Sequence, residues 1–405
     1  MKLRLVAPLV LVTLLTALAA GPGSAQAAPT PAATGTTALA GTDRLQIGVQ
    51  FKGMWSDYTD TQRRAVLDKL AAAGADSVRI DVSWAMLQPD GPDSFSAWGV
   101  GFVDKVVAMA VNRGLTPLIT LWMCPDWANG GRGDRALPTD PADFGRIAQW
   151  AAARYKGKVG AWEVWNEPND NDFMRGADPA AYVRLLKAAY RGFKAGAPST
   201  PVLFGGTSYV DTSWVARAYA AGAKGSFDAM ATHPYQGMAD AKPELADDGT
   251  REVLDHVRVL RALMVKYGDS AKDIWFTETG WSAHANAPDQ PSWSRGVSAT
   301  TQAQYLMRML RHVQASYPYV SHVYWYTERN QATGDPHQDN FGLMRRDLTP
   351  KPAYYALRDF VRARDAAAPA SVQVADPAGA QQPLARLQAA RARVRSLLGG
   401  GPTPV

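Results

Sequence analysis

The chain has 405 residues, 46% of them hydrophobic and 10% aromatic, which is enough apolar material for one large core or two modest ones. Six of its 43 basic residues lie at the ends, two before residue 5 and four arginines between residues 386 and 395. Without these six, basic residues equal the 37 acidic ones in number, so the formal charge of +6 comes from the chain ends and the body between them is neutral. A neutral body lacks the concentrated basic surface that binding to nucleic acid or to an acidic membrane requires.

The first 27 residues predict a secretory signal peptide. Lys2 and Arg4 form a charged start, LVAPLVLVTLLTALAA is an apolar run too short for a membrane span, and Ala25-Gln26-Ala27 supplies a small-residue cleavage site. An uncleaved membrane anchor is the alternative. We therefore expect a secreted protein with no membrane attachment after cleavage. Residues 28–43, rich in Ala, Thr and Pro, predict a flexible leader.

Between residues 44 and 365, short apolar runs alternate with longer amphipathic ones. TDTQRRAVLDKLAAAG (59–74) has the Thr start and Gly end of a helix, and PADFGRIAQWAAARY (141–155) has proline in its first turn. The runs that predict strands are QIGVQF (46–51), SVRIDV (77–82), LTPLITLW (115–122), GAWEVWN (160–166), PVLFGG (201–206), FDAMAT (227–232), DIWFTE (273–278) and SHVYWYT (321–327).

Eight strand and helix repeats of this kind predict an α/β fold, a single parallel (β/α)8 TIM barrel. An open, doubly wound sheet is the alternative. That fold would carry a glycine-rich phosphate-binding turn after the first strand, and QFKGMWSDYT has none.

Residues 366–405 predict a low-complexity tail that is separate from the barrel. LARLQAARARVRSLL (384–398) has the pattern of a basic amphipathic helix, and its arginines suit an acidic cell-wall polymer as a partner. The single cysteine, Cys124, excludes an intrachain disulfide, and a buried apolar role is favoured over that of a nucleophile. No His, Cys and Asp cluster has metal-ligand spacing, so neither a metal nor a cofactor is expected.

Glutamate is scarce and unevenly placed in this sequence. Only six of the 37 acidic residues are Glu, and four of them fall in or just after three predicted strands: Glu163, Glu167, Glu278 and Glu328. The C-terminal strand ends of a barrel form one face. We therefore expect Glu167, after strand four, and Glu278, at the end of strand seven, to face a common cleft. Two carboxylates across a cleft are the minimum equipment for glycoside hydrolysis. Glu163 lies earlier in strand four and therefore deeper in the barrel than Glu167, and we expect it to be an interior ion-pair partner.

WEVWNEPN (162–169) followed by IWFTETGW (274–281) resembles the clan A glycoside hydrolases, most closely family 39, with family 5 as a near relation. The resemblance covers essentially the whole barrel. It implies a retaining hydrolase of a β-linked glycan, with Glu167 as acid/base and Glu278 as nucleophile. It also implies that Asn166 binds the sugar 2-hydroxyl and that Arg79 lies near the nucleophile, where a structural ion pair with Asp81 or Glu163 is equally compatible.

Further side chains at strand ends complete the predicted sugar site. In ATHPYQ, the resemblance implies that Tyr235 steadies the nucleophile and that His233 lines the cleft wall. Trp325 matches the platform beneath the sugar that is cleaved. Other tryptophans that end or follow predicted strands, Trp122 and Trp281 above all, suit stacking on sugar C–H faces: Trp55, Trp84, Trp122, Trp127, Trp165 and Trp281.

One departure from the family leaves the substrate open. Strand three ends in LWMCPDWA, without the histidine that several clan A relatives carry there. The expected ligand is an oligo- or polysaccharide, and neither the sugar nor endo or exo action follows from the sequence. A catalytically silent carbohydrate-binding barrel and a cell-wall-associated glycan-binding protein remain alternatives.

Overall fold

The computed structural model describes residues 44–55 and 57–367 of the chain. The predicted signal peptide, the leader and residues 368–405 of the basic tail lie outside the described residues, so those three predictions stay predictions. Residues 366 and 367, assigned to the tail from the sequence, belong to the last helix. Within the described part, no helix combines the length and the apolar composition that a membrane span requires.

Nine parallel strands form one sheet in the described residues: β1 (Gln46–Gln50), β2 (Ser77–Ser83), β3 (Thr116–Trp122), β4 (Ala161–Val164), β5 (Val202–Leu203), β6 (Thr207–Ser208), β7 (Met230–His233), β8 (Ile274–Thr279) and β9 (Val320–Trp325). Their order is β5-β4-β3-β2-β1-β9-β8-β7-β6. The two end strands belong to one stretch interrupted at residues 204–206, and Leu203 also bridges to Ala229 just before β7. The sheet therefore closes on itself, and the (β/α)8 prediction is confirmed, with the fifth strand split in two.

The helices of the described residues are α1 (Asp60–Ala72), α2 (Trp84–Leu87), α3 (Ala97–Val111), α4 (Asp126–Asn129), α5 (Pro141–Arg154), α6 (Pro179–Gly196), α7 (Thr212–Ala220), α8 (Val257–Lys266), α9 (Ala299–Ser316), α10 (Pro336–Asp339) and α11 (Pro352–Ala367). Short 3-10 helices occupy Leu254–His256 and Ser292–Ser294. Helix α1 begins with the capping box of Thr59 and Gln62, which satisfies two backbone N–H groups that a helix start leaves free.

The barrel interior has an apolar layer with a polar layer above it. The apolar cluster consists of Leu118, Ala161, Leu203, Ala229, Ala231, Trp275 and Tyr324. Side chains alternate along a strand, so residues two positions further on face the same interior. Those positions hold Thr120 on β3, Glu163 on β4, His233 on β7 and Thr277 on β8, all of them 0% exposed. The polar layer thus lies directly beneath the C-terminal strand ends, where barrels carry their active sites.

Candidate active site

Arg79 on β2 is fully buried and connects four strand ends. Its Nε donates to Glu163 Oε2 at 2.7 Å, and its Nη2 donates to Asn166 Oδ1 at 2.8 Å. Its Nη1 donates to Gln50 Oε1 at 2.8 Å and to Glu278 Oε1 at 2.5 Å. The contacts considered from the sequence, with Glu163 and with the predicted nucleophile, are therefore present at once, and Asp81 Oδ1 lies 3.8 Å from Nη1. A guanidinium paired in this way holds two carboxylates and two amides in fixed positions.

Glu278 on β8 lies in an environment that favours its ionised form. The pKa of Glu278 is below its usual value because, although burial raises it, His233 when its ring is protonated, the positive charges of Arg79 and Lys52, and the hydroxyl of Tyr235 lower it by more. The Tyr235 hydroxyl donates to Glu278 Oε2 at 3.0 Å. A carboxylate held ionised in this way is equipped for nucleophilic attack.

Glu167, which follows β4, experiences the opposite influence. Burial raises the pKa of Glu167 and the negative charge of Glu278 adds to this increase, whereas the contact with His233 opposes it without cancelling it. His233 Nδ1 lies 2.8 Å from Glu167 Oε1. The Glu167 backbone N–H donates to Gly206 O at 3.0 Å, which fixes the start of its loop.

The two carboxylates are close to each other. One side-chain N or O atom from each of Glu167, His233 and Glu278 lies within 4.8 Å of the other two. Retaining glycosidases hold their carboxyl groups roughly 5–5.5 Å apart and inverting ones roughly 6.5–9.5 Å. In residues 44–55 and 57–367 this trio is also the only group of three His, Cys, Asp or Glu side chains spaced to hold a metal ion.

Two local irregularities bring the site residues together. The β8 register shifts between Phe276 and Thr279, so that Thr277 and Glu278, although consecutive, both contact interior groups. After β4, Trp165 and Glu167 have φ values of 69° and 41°, in the left-handed region that side chains rarely adopt.

Comparison with known proteins places this geometry in a family. Residues 40–331 match the family described as Cellulase (glycosyl hydrolase family 5). The chain belongs to glycosyl hydrolase family 5. The predicted clan A relationship is thereby confirmed, and the matched family is the one that the sequence placed as a near relation.

Several relatives are similar to this family 5 chain over part of their length. A β-xylosidase of Caldicellulosiruptor saccharolyticus is 25% identical over 69% of this chain and 59% of its own. The thermostable β-glucosidase B of Thermobispora bispora is 30% identical over 30% of this chain and 26% of its own. The chain thus spans 59% of the length of the β-xylosidase and 26% of the length of the β-glucosidase.

Solved structures share the fold. A family 39 glycoside hydrolase from Bacteroides cellulosilyticus WH2 has a TM-score of 0.64 and 23% identity, over 79% of this chain and 64% of that chain. A GH5_18 protein from Streptomyces cattleya, solved in complex with GlcNAc, has a TM-score of 0.61 and 21% identity, over 81% and 82%.

Several predicted sugar contacts lie elsewhere in this family 5 barrel than the sequence indicated. His233 is fully buried, with Nδ1 on Glu167 and Nε2 3.1 Å from Thr277 Oγ1. It therefore lies beneath the carboxylates and does not form the cleft wall. The sequence pattern placed His233 at the correct strand end but could not predict how deeply its side chain is buried.

The three tryptophans singled out as stacking surfaces are also buried. Trp122, Trp281 and Trp325 are only 2–3% exposed. The indole N–H of Trp325 donates to Phe341 O at 3.1 Å, and that of Trp281 donates to Ala241 O at 2.8 Å. A platform requires an open ring face, which these indoles do not offer here. A tryptophan that ends a strand packs equally well beneath the long loops of a barrel.

Sequence reasoning missed Lys52 and Tyr326, which follow β1 and β9. Lys52 Nζ lies 4.8 Å from the Tyr326 ring centroid and 5.9 Å from that of Trp55, whose side chain is 43% exposed. The pKa of Lys52 is raised because, although burial lowers it, Tyr326, Asp81 and Glu278 together outweigh burial. The sequence signal that could have identified Lys52 and Tyr326 is their position just after a strand end.

Glu328 is buried and connects the loops that carry these two residues. Its carboxylate accepts hydrogen bonds from the hydroxyls of Tyr58 and Thr327 and from the Lys52 backbone N–H. It thus fastens the loop after β1 to the end of β9.

Proposed function

We propose that this protein is a retaining glycoside hydrolase that cleaves a β-linked oligo- or polysaccharide by double displacement. The observation that carries the proposal is a pair of adjacent carboxylates whose surroundings shift their pKa values in opposite directions, Glu278 down and Glu167 up. Such a pair supplies one ionised and one protonated carboxyl group at the same pH. The β linkage is supported by the names of the relatives, a β-xylosidase and a β-glucosidase.

In the first step, a Glu278 oxygen attacks the anomeric carbon while Glu167 gives its proton to the departing glycosidic oxygen. The C–O bond breaks with its electron pair on that oxygen, and a covalent glycosyl-enzyme forms. Arg79 and Tyr235 hold Glu278 in position through the contacts described above. Asn166, whose Oδ1 is held by Arg79, retains its amide N–H groups for a sugar hydroxyl.

In the second step, Glu278 is esterified and no longer negative, which removes one cause of the raised Glu167 pKa. Glu167, now a carboxylate, takes a proton from water as that water attacks the anomeric carbon, and the bond from this carbon to Glu278 breaks with its electron pair returning to the Glu278 carboxylate. Two inversions return the original anomeric configuration. All the groups needed are carboxylates, a phenol and a guanidinium, so the proposal requires no cofactor.

The full chain should hydrolyse at least one member of a panel of plant, fungal and bacterial β-glycans and aryl β-glycosides. Proton NMR of the first seconds of reaction should show the β-anomer of the product before mutarotation. An α-anomer as first product would contradict double displacement. Binding of a glycan with no released sugar would instead favour a catalytically silent carbohydrate-binding barrel.

Secretion belongs to the same proposal, and it is supported by the charged start, apolar run and Ala25-Gln26-Ala27 site of the N-terminus. Expression of the full chain in a secreting bacterial host should yield protein in the medium that begins at Ala28, as measured by intact mass. Retention of the uncleaved chain on membranes would favour an anchor.

An acidic cell-wall polymer, held by the arginines of residues 384–398, is the partner proposed for the tail.

A further inference from the structure

Four side chains form a continuous hydrogen-bonded row in the barrel interior. Glu163 Oε1 accepts from Thr277 Oγ1 at 2.7 Å, and Thr277 Oγ1 lies 3.1 Å from His233 Nε2. The other ring nitrogen, His233 Nδ1, lies 2.8 Å from Glu167 Oε1. Glu163, Thr277 and His233 are 0% exposed, so no solvent exchange interrupts the row along their length. The direction of each hydrogen bond follows from the end of the row at Glu163.

Glu163 acts only as an acceptor. Its Oε2 receives Arg79 Nε at 2.7 Å and Thr120 Oγ1 at 2.6 Å. Its Oε1 receives the Gly206 backbone N–H at 3.1 Å and Thr277 Oγ1 at 2.7 Å. An ionised carboxylate paired with a guanidinium has no proton to donate. The single hydroxyl proton of Thr277 therefore points to Glu163, and only the lone pairs of Thr277 remain for His233.

This polarity determines the histidine tautomer. A lone pair on Thr277 requires that His233 Nε2 carries a proton. If Glu167 is the protonated general acid, the imidazole is neutral and this is its only N–H. Nδ1 then presents its lone pair to Glu167, and their 2.8 Å contact requires the proton on the carboxyl oxygen. We propose that Glu163 and Thr277 are positioning residues that fix His233 as its Nε2–H tautomer, so that Nδ1 accepts a hydrogen bond from protonated Glu167. This inference rests on the proposed role of Glu167 as general acid.

Gly206 allows the row to pack closely. A Cβ atom at this position would lie 2.3 Å from His233 Nε2 and 2.7 Å from Thr277 Oγ1. Its N–H donates to Glu163, and its carbonyl oxygen accepts from the Glu167 backbone N–H at 3.0 Å. A side chain here would separate the imidazole from the hydroxyl that orients it.

The consequence for catalysis is a stronger preference of Glu167 for its proton. A His233 that donates from Nδ1 lowers the Glu167 pKa, whereas the Nε2–H tautomer faces the carboxyl group with a lone pair that disfavours the carboxylate, so Glu167 keeps its proton to higher pH in the free enzyme. In the glycosyl-enzyme, the same repulsion makes Glu167 a stronger base towards water. The other titratable or charged groups around Glu167 and His233 are Arg79, Glu163, Asp170, Tyr209, Tyr235 and Glu278.

Thr277→Val tests the row with nearly the same side-chain volume. Without the hydroxyl, His233 is free to adopt the Nδ1–H tautomer, which donates to Glu167 and stabilises its carboxylate. The alkaline limb of the kcat/KM profile should therefore move about one pH unit lower, a tenfold change in proton affinity. Thr277→Ser restores the hydroxyl and should restore the limb. Thr120→Val removes a donor to Glu163 that does not contact His233 and should leave the limb unchanged.

The tautomer itself is measured by 15N NMR of the histidine-labelled full chain at the pH of maximal activity, with the signals of His233 assigned by their loss in His233→Asn. The wild type should show a protonated Nε2 and an unprotonated Nδ1. An Nδ1–H tautomer, an imidazolium, or a Thr277→Val profile that coincides with the wild type would overturn the inference. Because NMR does not depend on turnover, a chain that hydrolyses no glycan would refute the proposed function separately.

Discussion

Replacing Glu278 by alanine should lower kcat/KM by at least about 10⁴-fold, as expected when a nucleophile that forms a covalent intermediate is lost. The substitution also opens a space beside Arg79 and Tyr235, large enough for a small anion. Added azide should therefore restore turnover of an activated aryl β-glycoside and give the α-glycosyl azide, because a single displacement inverts the anomeric centre. Product NMR and initial rates measure both effects.

A surface glutamate provides the control for this substitution. Glu244 is partly exposed and pairs with Arg308 on the outside of the barrel, so Glu244→Ala should keep wild-type rates. Arg79 keeps Glu163 as a partner in the Glu278 variant, and its cooperative thermal unfolding should therefore persist. Equal hydrolysis by Glu278→Ala and wild type would refute the nucleophile assignment.

The fold was accessible from the sequence because its two determinants are local. Apolar runs of strand length, each followed by an amphipathic helix with recognisable caps, recur eight times, and parallel strands require such crossovers. The break in the fifth strand at residues 204–206 was not accessible. At this break Gly206 packs against His233 and Thr277, which belong to strands that lie elsewhere in the sequence.

The sequence predicted which residues form the site but not how deeply each of them is buried. Alternation along β2 and β4 places Arg79 and Glu163 on the inside, and the structure joins them at 2.7 Å. Alternation also predicts opposite faces for Thr277 and Glu278, which the register shift in β8 overrides. His233 and the tryptophans were expected to be more exposed than they are, because burial depends on the loops that cover a strand end.

The electrostatic division between the two glutamates required three-dimensional information. Both residues follow or end a strand, and their sequence neighbours alone give no reason for different pKa values. The difference arises because Arg79 and Tyr235, from other strands, contact Glu278, whereas burial and the negative charge of Glu278 raise the pKa of Glu167. A sequence pattern therefore identifies the pair, and the surrounding strands divide the roles.

Glu167→Ala should distinguish the second role from the first. Loss of the general acid should lower kcat/KM by about 10²–10⁴-fold for glycans, whose leaving oxygen requires a proton. An aryl glycoside with an acidic phenol leaves unaided, so its first step should be slowed far less. Its second step lacks the base, so the glycosyl-enzyme should accumulate and KM should fall together with kcat.

Azide gives the decisive contrast between the two variants. In Glu167→Ala, azide attacks the glycosyl-enzyme in place of activated water, and two inversions should give the β-glycosyl azide. Asp172→Asn, an exposed change in the same loop, should behave as wild type towards glycans and aryl glycosides. An α-azide from Glu167→Ala, or an equal loss of rate on both substrate classes, would contradict the assignment of Glu167 as acid/base. Opposite anomers from the two alanine variants would place the two carboxylates on opposite faces of the same anomeric carbon.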